Sequence, residues 1–198
     1  MNKYSAVILD LDGTIVDDEP HWQQAFQNIA DRHNLNRKIV PVAGLALTAN
    51  WKIAGEADTC EKLAMETRNE FMKIIENIEE IKPREGFWEM ISYLKEKSFL
   101  IGLATSSYWE VTDLLLEKMG IDGVFDAITT GEEVLLLKPD PEIFRLTCQK
   151  LGVEPEEVIV FEDAEAGVIA ATACGCRVIK LKNNFLLAMK SIEDYEYK

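Results

Sequence analysis

The chain has 198 residues, of which 47% are hydrophobic and 28% are charged. This length is enough for one medium-sized domain with a buried core, or for one domain with a small insertion. The formal net charge of −14 would repel nucleic acids and anionic membranes, which excludes both as the main partner. No apolar run approaches the roughly 20 residues of a membrane span, and the N-terminus lacks a secretory signal pattern. We therefore expect no membrane partner and a cytoplasmic protein.

The four cysteines are Cys60, Cys148, Cys174 and Cys176. Only the last two are close in sequence, and no Cys-x-x-Cys pair or neighbouring histidine completes a zinc-binding pattern. The sequence therefore predicts reduced, buried cysteines rather than a metal site.

A short apolar run at residues 7–9 predicts the first strand, and it breaks abruptly into Asp10-Leu11-Asp12-Gly13. A continuous β-prone run is typical of a strand buried on both faces of a parallel sheet. Ligands of open α/β sheets bind at the carboxyl edge, where Asp10 and Asp12 would lie. Because two carboxylates one residue apart cannot point the same way from an extended strand, each could do a separate job. The alternative is an ordinary Asp-Gly turn whose acids cap backbone amides.

The stretch from residue 17 to residue 82 contains no convincing strand. Pro20 suits the first turn of a helix that would end near Asn34, and a longer amphipathic helix follows at residues 63–78. We predict a small α-helical cap domain at residues 17–82, inserted into a core domain of residues 1–16 and 83–198. His21 and Trp22 follow the entry to this cap. Either they face the site, or Trp22 packs in the core and His21 is exposed.

From residue 87 onward, helices and short apolar strands alternate, which is typical of a parallel sheet with helical crossovers. Strands are predicted at residues 100–105, 127–130, 158–161 and 177–179. Ser107 and Glu110 have the spacing of a capping box at the start of a helix. With the first strand, this pattern predicts an α/β fold with a doubly wound parallel sheet.

Polar groups follow at or near the ends of successive predicted strands, in the order Asp10 and Asp12, Thr105, Lys138, and Glu162-Asp163. This order resembles the motifs of the haloacid dehalogenase-like (HAD) phosphohydrolases, in which an Asp-x-Asp-x-Thr nucleophile motif ends the first strand. The resemblance covers essentially the whole chain. It implies a Rossmann-like core and an enzyme that hydrolyses phosphate monoesters.

The resemblance also implies a role for each motif residue. Asp10 would be the nucleophile that forms an aspartyl-phosphate, and Asp12 would protonate the leaving oxygen and then deprotonate the attacking water. Thr105, Ser106 and the amides that follow would bind phosphate oxygens, and Lys138 would neutralise the remaining charge.

Mg²⁺ is the implied cofactor, because a carboxylate nucleophile and a phosphate dianion repel each other unless cations screen them. Its ligands would be Asp10, the backbone carbonyl of Asp12, and Asp163. Glu162 would be a further ligand or would support the ligands. The expected partner is a small phosphorylated metabolite, and we expect a monomer or a weak homo-oligomer.

The helical insertion resembles the C1-type cap of HAD subfamily I, and residues 139–144 resemble the branch of phosphoglycolate phosphatase-like enzymes and β-phosphoglucomutase. Ala43 and Leu47 stand where the mutase-like pattern has cationic residues, and Ala164 replaces the usual serine. Thr14 is the residue that the hydrolases usually carry. Ala43, Leu47 and Thr14 favour a phosphatase, whereas the change at Ala164 would loosen a hydrogen bond next to the site. The alternatives are a sugar-phosphate mutase and a non-catalytic binding protein on the same scaffold.

Overall fold

The computed structural model describes residues 3–181 and 184–196. Its parallel sheet contains β1 (Ala6–Leu9), β2 (Leu100–Ala104), β3 (Ala127–Thr129), β4 (Val158–Glu162) and β5 (Arg177–Lys180). The strand order is β3-β2-β1-β4-β5, so β1 is central and the chain winds outward first to one side and then to the other. This order confirms the predicted doubly wound sheet.

Eight α-helices accompany the sheet in the described ranges: α1 (Glu19–Arg32), α2 (Leu47–Ile53), α3 (Cys60–Glu76), α4 (Phe87–Glu96), α5 (Trp109–Met119), α6 (Glu142–Leu151), α7 (Glu165–Cys174) and α8 (Phe185–Glu196). Short 3-10 turns lie at Ala57–Thr59, Gly131–Glu133 and Pro155–Glu157. The alternation of helix and strand after residue 87 is thus as predicted.

The sheet is covered on both faces, because alternate residues of a strand point to opposite sides. Val7 and Phe161 belong to a core cluster with residues of α4, α5 and α8. Ile8 and Val160 belong to a second cluster with residues of α6 and α7. Burial on both faces explains why the strands are continuous apolar runs rather than alternating ones.

The segment between residues 17 and 82 is helical and contains no strand at any of its described positions. Helices α1 to α3 form a small cluster of their own around Phe26, Trp51 and Leu63. The entry and exit of this segment run side by side, since the Arg84 amide donates to the Ile15 carbonyl at 2.7 Å. The division into core and cap at residues 17 and 82 stays a prediction.

The capping box predicted at Ser107 and Glu110 is wrong. Helix α5 begins at Trp109, and Tyr108 occupies the N-cap position without a side-chain cap. The Ser107 hydroxyl instead donates a hydrogen bond to Asp12 at 2.9 Å. The Ser107 hydroxyl therefore binds the Asp12 carboxylate at the sheet edge and does not cap the helix.

Among the described residues, no helix is both long enough and apolar enough to cross a membrane.

Candidate active site

Lys138 lies between two carboxylates at the carboxyl edge of the sheet. Its Nζ donates to Asp10 Oδ1 and Glu162 Oε1, at 2.6 Å each, and to the Ala104 carbonyl at 3.0 Å. Lys138 is only 4% exposed, and both acids are buried. Asp10 follows β1 and Glu162 ends β4, and these strands are parallel neighbours. The sheet itself therefore brings the two acids together.

Burial lowers the pKa of Lys138, but the charges of Asp10 and Glu162 outweigh this effect and hold that pKa above its ordinary value. Burial, followed by the charge of Glu162, raises the pKa of Asp10, and Lys138 opposes the rise. The same two causes raise the pKa of Asp163. More carboxylates than cations thus meet at this edge, and a further positive charge would relieve the excess.

Asp12 has neutral donors around it instead of a cation. Its Oδ2 accepts hydrogen bonds from the hydroxyls of Thr105 at 3.0 Å and Ser107 at 2.9 Å. Its Oδ1 accepts one from the indole Nε1 of Trp22 at 3.1 Å. The Trp22 ring stacks on Phe71 with 3.7 Å between the ring centroids. The loop after β2 and the first turn of α1 together orient this carboxylate.

Asp18 is a second acid beside Asp12. It is fully buried, and its Oδ2 also accepts a hydrogen bond from Trp22 Nε1, at 3.1 Å. Burial, followed by the charge of Asp12, raises the pKa of Asp18 well above its ordinary value. The indole thus links the two acids through a single N–H group.

The turn after β1 also positions Asp163, which follows β4. The Thr14 hydroxyl donates to Asp163 Oδ1 at 3.0 Å. Gly13 has a φ of +80°, and a Cβ there would overlap the Asp163 carboxylate. Only glycine combines this left-handed backbone with so close an approach.

The donors at this edge fit a hard divalent cation. Asp10, Glu162 and Asp163 each offer a carboxylate oxygen, and these oxygens lie within 4.8 Å of one another. Oxygen is the ligand atom that Mg²⁺ prefers. Glu162 already accepts hydrogen bonds from Lys138 and, at 3.0 Å, from the Ala164 amide. Asp10 and Asp163 are therefore better suited than Glu162 to hold an ion.

A cavity of about 670 Å³ lies between the helical segment and the sheet edge. Asp12, Ser106 and Asp163 line it on the sheet side. The Ser106 hydroxyl is buried and has no hydrogen-bond partner among the described residues. Buried polar groups are normally satisfied, so a phosphate oxygen in this cavity would suit that hydroxyl. The volume is in the range of small-molecule sites.

Arg68 of α3 is the one cationic residue among the described residues that line this cavity. Its guanidinium lies over the Tyr108 ring, 4.7 Å from the centroid, and Nη2 is 3.8 Å from Glu110 Oε2. Its Nε is buried and has no hydrogen-bond partner within the described ranges. Ala43 and Leu47 also lie in the cavity wall. An oxygen of a molecule bound in the cavity would give Arg68 an acceptor.

The family profile described as "Haloacid dehalogenase-like hydrolase" matches residues 7–181. The chain belongs to the haloacid dehalogenase-like hydrolases. It is 31% identical over 180 residues to a phosphorylated carbohydrates phosphatase of Thermotoga maritima, covering 86% of this chain and 81% of that protein. It is 27% identical over 186 residues to a fructose-1-phosphate phosphatase of Escherichia coli, covering 91% and 97%. Among solved structures, a β-phosphoglucomutase of Clostridium difficile shares the fold, with a TM-score of 0.79, 22% identity and coverage of 98% and 100%.

This haloacid dehalogenase-like hydrolase is an enzyme of the phosphoric monoester hydrolase class, as the resemblance implied. The predicted site residues meet in one place: Asp10, Asp12, Thr105, Ser106, Lys138, Glu162 and Asp163. Their individual roles in catalysis stay predictions. Thr105, predicted to hold phosphate, donates its hydroxyl to Asp12 and accepts the Ser107 amide at 3.0 Å.

Both alternatives for Trp22 apply at once, because the ring packs on Phe71 while its N–H group reaches Asp12. His21 is half-buried. Sequence reasoning missed Ser107, Asp18 and Arg68 as residues of this haloacid dehalogenase-like site. Ser107 was missed because its spacing from Glu110 predicted a helix cap. Asp18 stands at the N-cap position of α1 and Arg68 lies within α3, and neither carries a local signal that separates it from ordinary capping or helix residues.

Proposed function

We propose that the chain is a Mg²⁺-dependent phosphatase that hydrolyses a small phosphorylated carbohydrate through an aspartyl-phosphate on Asp10. The main support for this proposal is the difference between the surroundings of Asp10 and those of Asp12. Asp10 is buried against Lys138, whereas Asp12 is held by neutral donors in the cavity wall. A nucleophile needs charge neutralisation, and a general acid and base needs access to the leaving group and to water.

In the first half-reaction a carboxylate oxygen of Asp10 bonds to phosphorus and the bond from phosphorus to the ester oxygen breaks. Asp12, in its protonated form, gives its proton to that oxygen, and the alcohol leaves. The buried ammonium of Lys138 and the hydroxyl of Ser106 stabilise the charge that spreads over the phosphoryl oxygens.

In the second half-reaction a water oxygen bonds to phosphorus and Asp12 takes its proton. The bond from phosphorus to Asp10 breaks, which releases inorganic phosphate and restores both carboxyl groups. Thr105, Ser107 and Trp22 keep the Asp12 carboxylate in one orientation through both steps. Positioning of this kind supplies much of the rate gain in phosphoryl transfer.

Mg²⁺ would be held by Asp10 and Asp163 with the Asp12 backbone carbonyl, and when bound it would screen the nucleophile from the phosphate dianion. Glu162 would hold Lys138 and the start of α7 rather than the ion, since both of its oxygens accept hydrogen bonds.

The substrate class is proposed from the cavity and from the relatives. The cavity has the size of a small-molecule site, and Arg68 offers donors to substrate oxygens outside the reacting phosphate group. The two relatives are named for phosphorylated carbohydrates and for fructose 1-phosphate. A phosphorylated sugar or polyol carries such oxygens on every carbon.

One observation keeps a sugar-phosphate mutase as the second candidate. Ala43 and Leu47 supply no charge to the cavity wall, but Arg68 places a cation there. A second phosphate group could bind this guanidinium. A mutase would convert β-glucose 1-phosphate with little net release of phosphate.

The test is release of inorganic phosphate from a panel of esters: hexose and hexitol phosphates, phosphoglycolate, nucleotides and an aryl phosphate. We expect release from sugar or polyol phosphates that stops with a chelator and returns with added Mg²⁺. Isomerisation of β-glucose 1-phosphate without release would favour the mutase. No turnover of any ester in either assay would contradict both enzyme proposals.

A further inference from the structure

Three of the four cysteines meet in space although they are dispersed in sequence. Cys148 lies on α6, Cys174 is the last residue of α7, and Cys176 stands just before β5. Their Sγ atoms all lie within 4.8 Å of one another. The sequence predicted no metal site because only two of these residues are neighbours. The third comes from another helix.

The fold builds this cluster in two steps. Helix α7 ends at Cys174, and Gly175 follows with a φ of +100°, so the chain turns sharply. The Cys176 amide then donates to the Ala171 carbonyl at 3.1 Å, which holds the turn against the end of the helix. Helices α6 and α7 cover the same face of the sheet, and this packing brings Cys148 to the pair.

The cluster is bordered by apolar side chains and, beside Cys174, by the charged Arg145. Cys148 is 2% exposed and Cys176 is 8% exposed, and both belong to the core cluster beneath α6 and α7. Cys174 is half-buried. An ion could therefore enter beside Cys174, and a water molecule could supply a further ligand there.

The cluster is remote from the proposed phosphatase site. Asp163 precedes α7 at the carboxyl edge of the sheet, whereas Cys174 ends that helix and Cys176 precedes β5 at the opposite edge. An ion held by the cysteines would not replace one held by Asp10 and Asp163. The two sites also differ in chemistry, because sulfur ligands select soft cations and oxygen ligands select hard ones.

We propose that Cys148, Cys174 and Cys176 form a three-sulfur site for a thiophilic divalent cation of the Zn²⁺ type. A Zn–S bond is about 2.3 Å long, so sulfurs that share one ion lie about 3.8 to 4.0 Å apart. Sulfurs within 4.8 Å of one another reach that spacing by shifts of less than about 1 Å. As each sulfur binds the ion, its thiol proton goes to solvent.

The test uses the full-length protein, freed of metal with a chelator and kept reduced with a phosphine. Cd²⁺ is the probe, because thiolate sulfur bound to it gives an ultraviolet charge-transfer band that carboxylates do not give. We expect the band to saturate at one ion per chain. Cys148→Ser should weaken the affinity for Cd²⁺ by at least about 100-fold. This is more than the loss expected when a residue that only supports a metal ligand is changed. Cys60→Ser, a buried cysteine outside the cluster, should leave the affinity unchanged.

A second measurement needs no variant. X-ray absorption at the zinc edge of the native protein, loaded with one Zn²⁺ per chain, should give three sulfur ligands at about 2.3 Å. A shell of oxygen and nitrogen ligands alone would overturn the proposal, and so would an unchanged cadmium band in the Cys148→Ser protein. Either result would leave the three thiols as packing groups of the core.

Discussion

Asp10 and Asp12 are separated by one residue, yet their surroundings differ in charge. Asp10 shares the Lys138 ammonium with Glu162, and Asp12 accepts three hydrogen bonds from neutral groups. The two carboxylates point into different surroundings, as the sequence predicted. The neutral donors around Asp12 come from α1 and from the loop after β2. No local pattern around residue 12 predicts them.

The indole N–H group of Trp22 should matter for rate. Trp22→Phe keeps the ring that stacks on Phe71 and removes the donor to Asp12. A hydrogen bond to a charged group contributes about 1.5 to 3 kcal/mol, so we expect kcat to fall by about 10- to 150-fold.

Trp51→Phe is the matched control, because it removes a buried hydrogen bond from the indole N–H group to the Thr67 hydroxyl. Neither residue is part of the cavity wall. It should lower the free energy of unfolding by about 1 kcal/mol and leave kcat unchanged. Equal losses of kcat in the two variants, measured under saturating substrate, would show that Trp22 acts only through packing.

The ion pairs of Lys138 and Lys150 have the same N···O distance but differ in burial, so they show how burial changes the contribution of an ion pair to stability. Both lysines lie 2.6 Å from a glutamate oxygen, but Lys138 is buried and Lys150 is partly exposed. Lys138→Met leaves two buried carboxylates without their cation, so we expect the free energy of unfolding to fall by about 3 to 5 kcal/mol. Lys150→Met should change it by about 1 kcal/mol or less.

Urea unfolding measures both variants. Equal stability losses would contradict the assignment of Lys138 as the charge balance of the site. Phosphate release provides a second measure, since Lys138→Met should abolish it and Lys150→Met should not affect it.

At the scale of elements, the loop before α2 closes over the start of α7. Gly44 has a φ of +76°, and a Cβ there would lie 2.7 Å from the Ala164 Cβ. The sequence shows Ala164 and Ala43, which is next to Gly44, as differences from the family pattern. It does not predict that Gly44 and Ala164 are in contact. Ala164 thus lies where the helical segment meets the start of α7.

Gly44→Ala should push this loop away from the site. A displacement of this size can alter positioning strongly, so we expect KM to rise by about 10-fold. Gly55→Ala introduces the same left-handed strain, at a φ of +86°, where the nearest atoms are Arg37 nitrogens at 3.8 Å. That control should lose stability and keep its KM. A KM that is unchanged in both variants would contradict a role for the Gly44 contact.

The elements were predictable where burial on both faces gives continuous apolar runs, as in β1, β2 and β4. The sites at their ends followed from parallel pairing, which brings Asp10 and Glu162 to one edge. Helix starts were less predictable. Ser107 shows why, because a tertiary partner, Asp12, competes with the local cap.

At the scale of the whole molecule, charge is the dominant feature. The chain carries a formal charge of −14, and the described cavity wall contains several acids and one cation, Arg68. An anionic substrate must therefore rely on local cations against the field of the whole protein. Arg68 lies on the helical segment, and its partner Glu110 lies on α5 of the core.

Arg68→Met should alter selectivity more than chemistry. Loss of the guanidinium removes donors to sugar oxygens outside the phosphate group, so kcat/KM for a sugar phosphate should fall by about 10-fold or more, the value of one charged hydrogen bond. An aryl phosphate has no such oxygens, and its kcat/KM should stay the same. Lys62→Met, at an exposed position on the same helix, controls for the loss of positive charge. Parallel losses for both substrates would contradict the assignment.

In the proposed mechanism Asp10 takes the phosphoryl group and Asp12 gives and takes the proton. The most direct test is rapid-mixing kinetics of Asp12→Asn with 4-nitrophenyl phosphate, whose nitrophenolate leaves without a proton. We predict a burst of one nitrophenolate per chain, followed by arrest with the phosphoryl group bound covalently to Asp10. Asp10→Asn should give no burst. Continued turnover of Asp12→Asn at the wild-type rate, or a burst without a phosphorylated Asp10, would contradict the account.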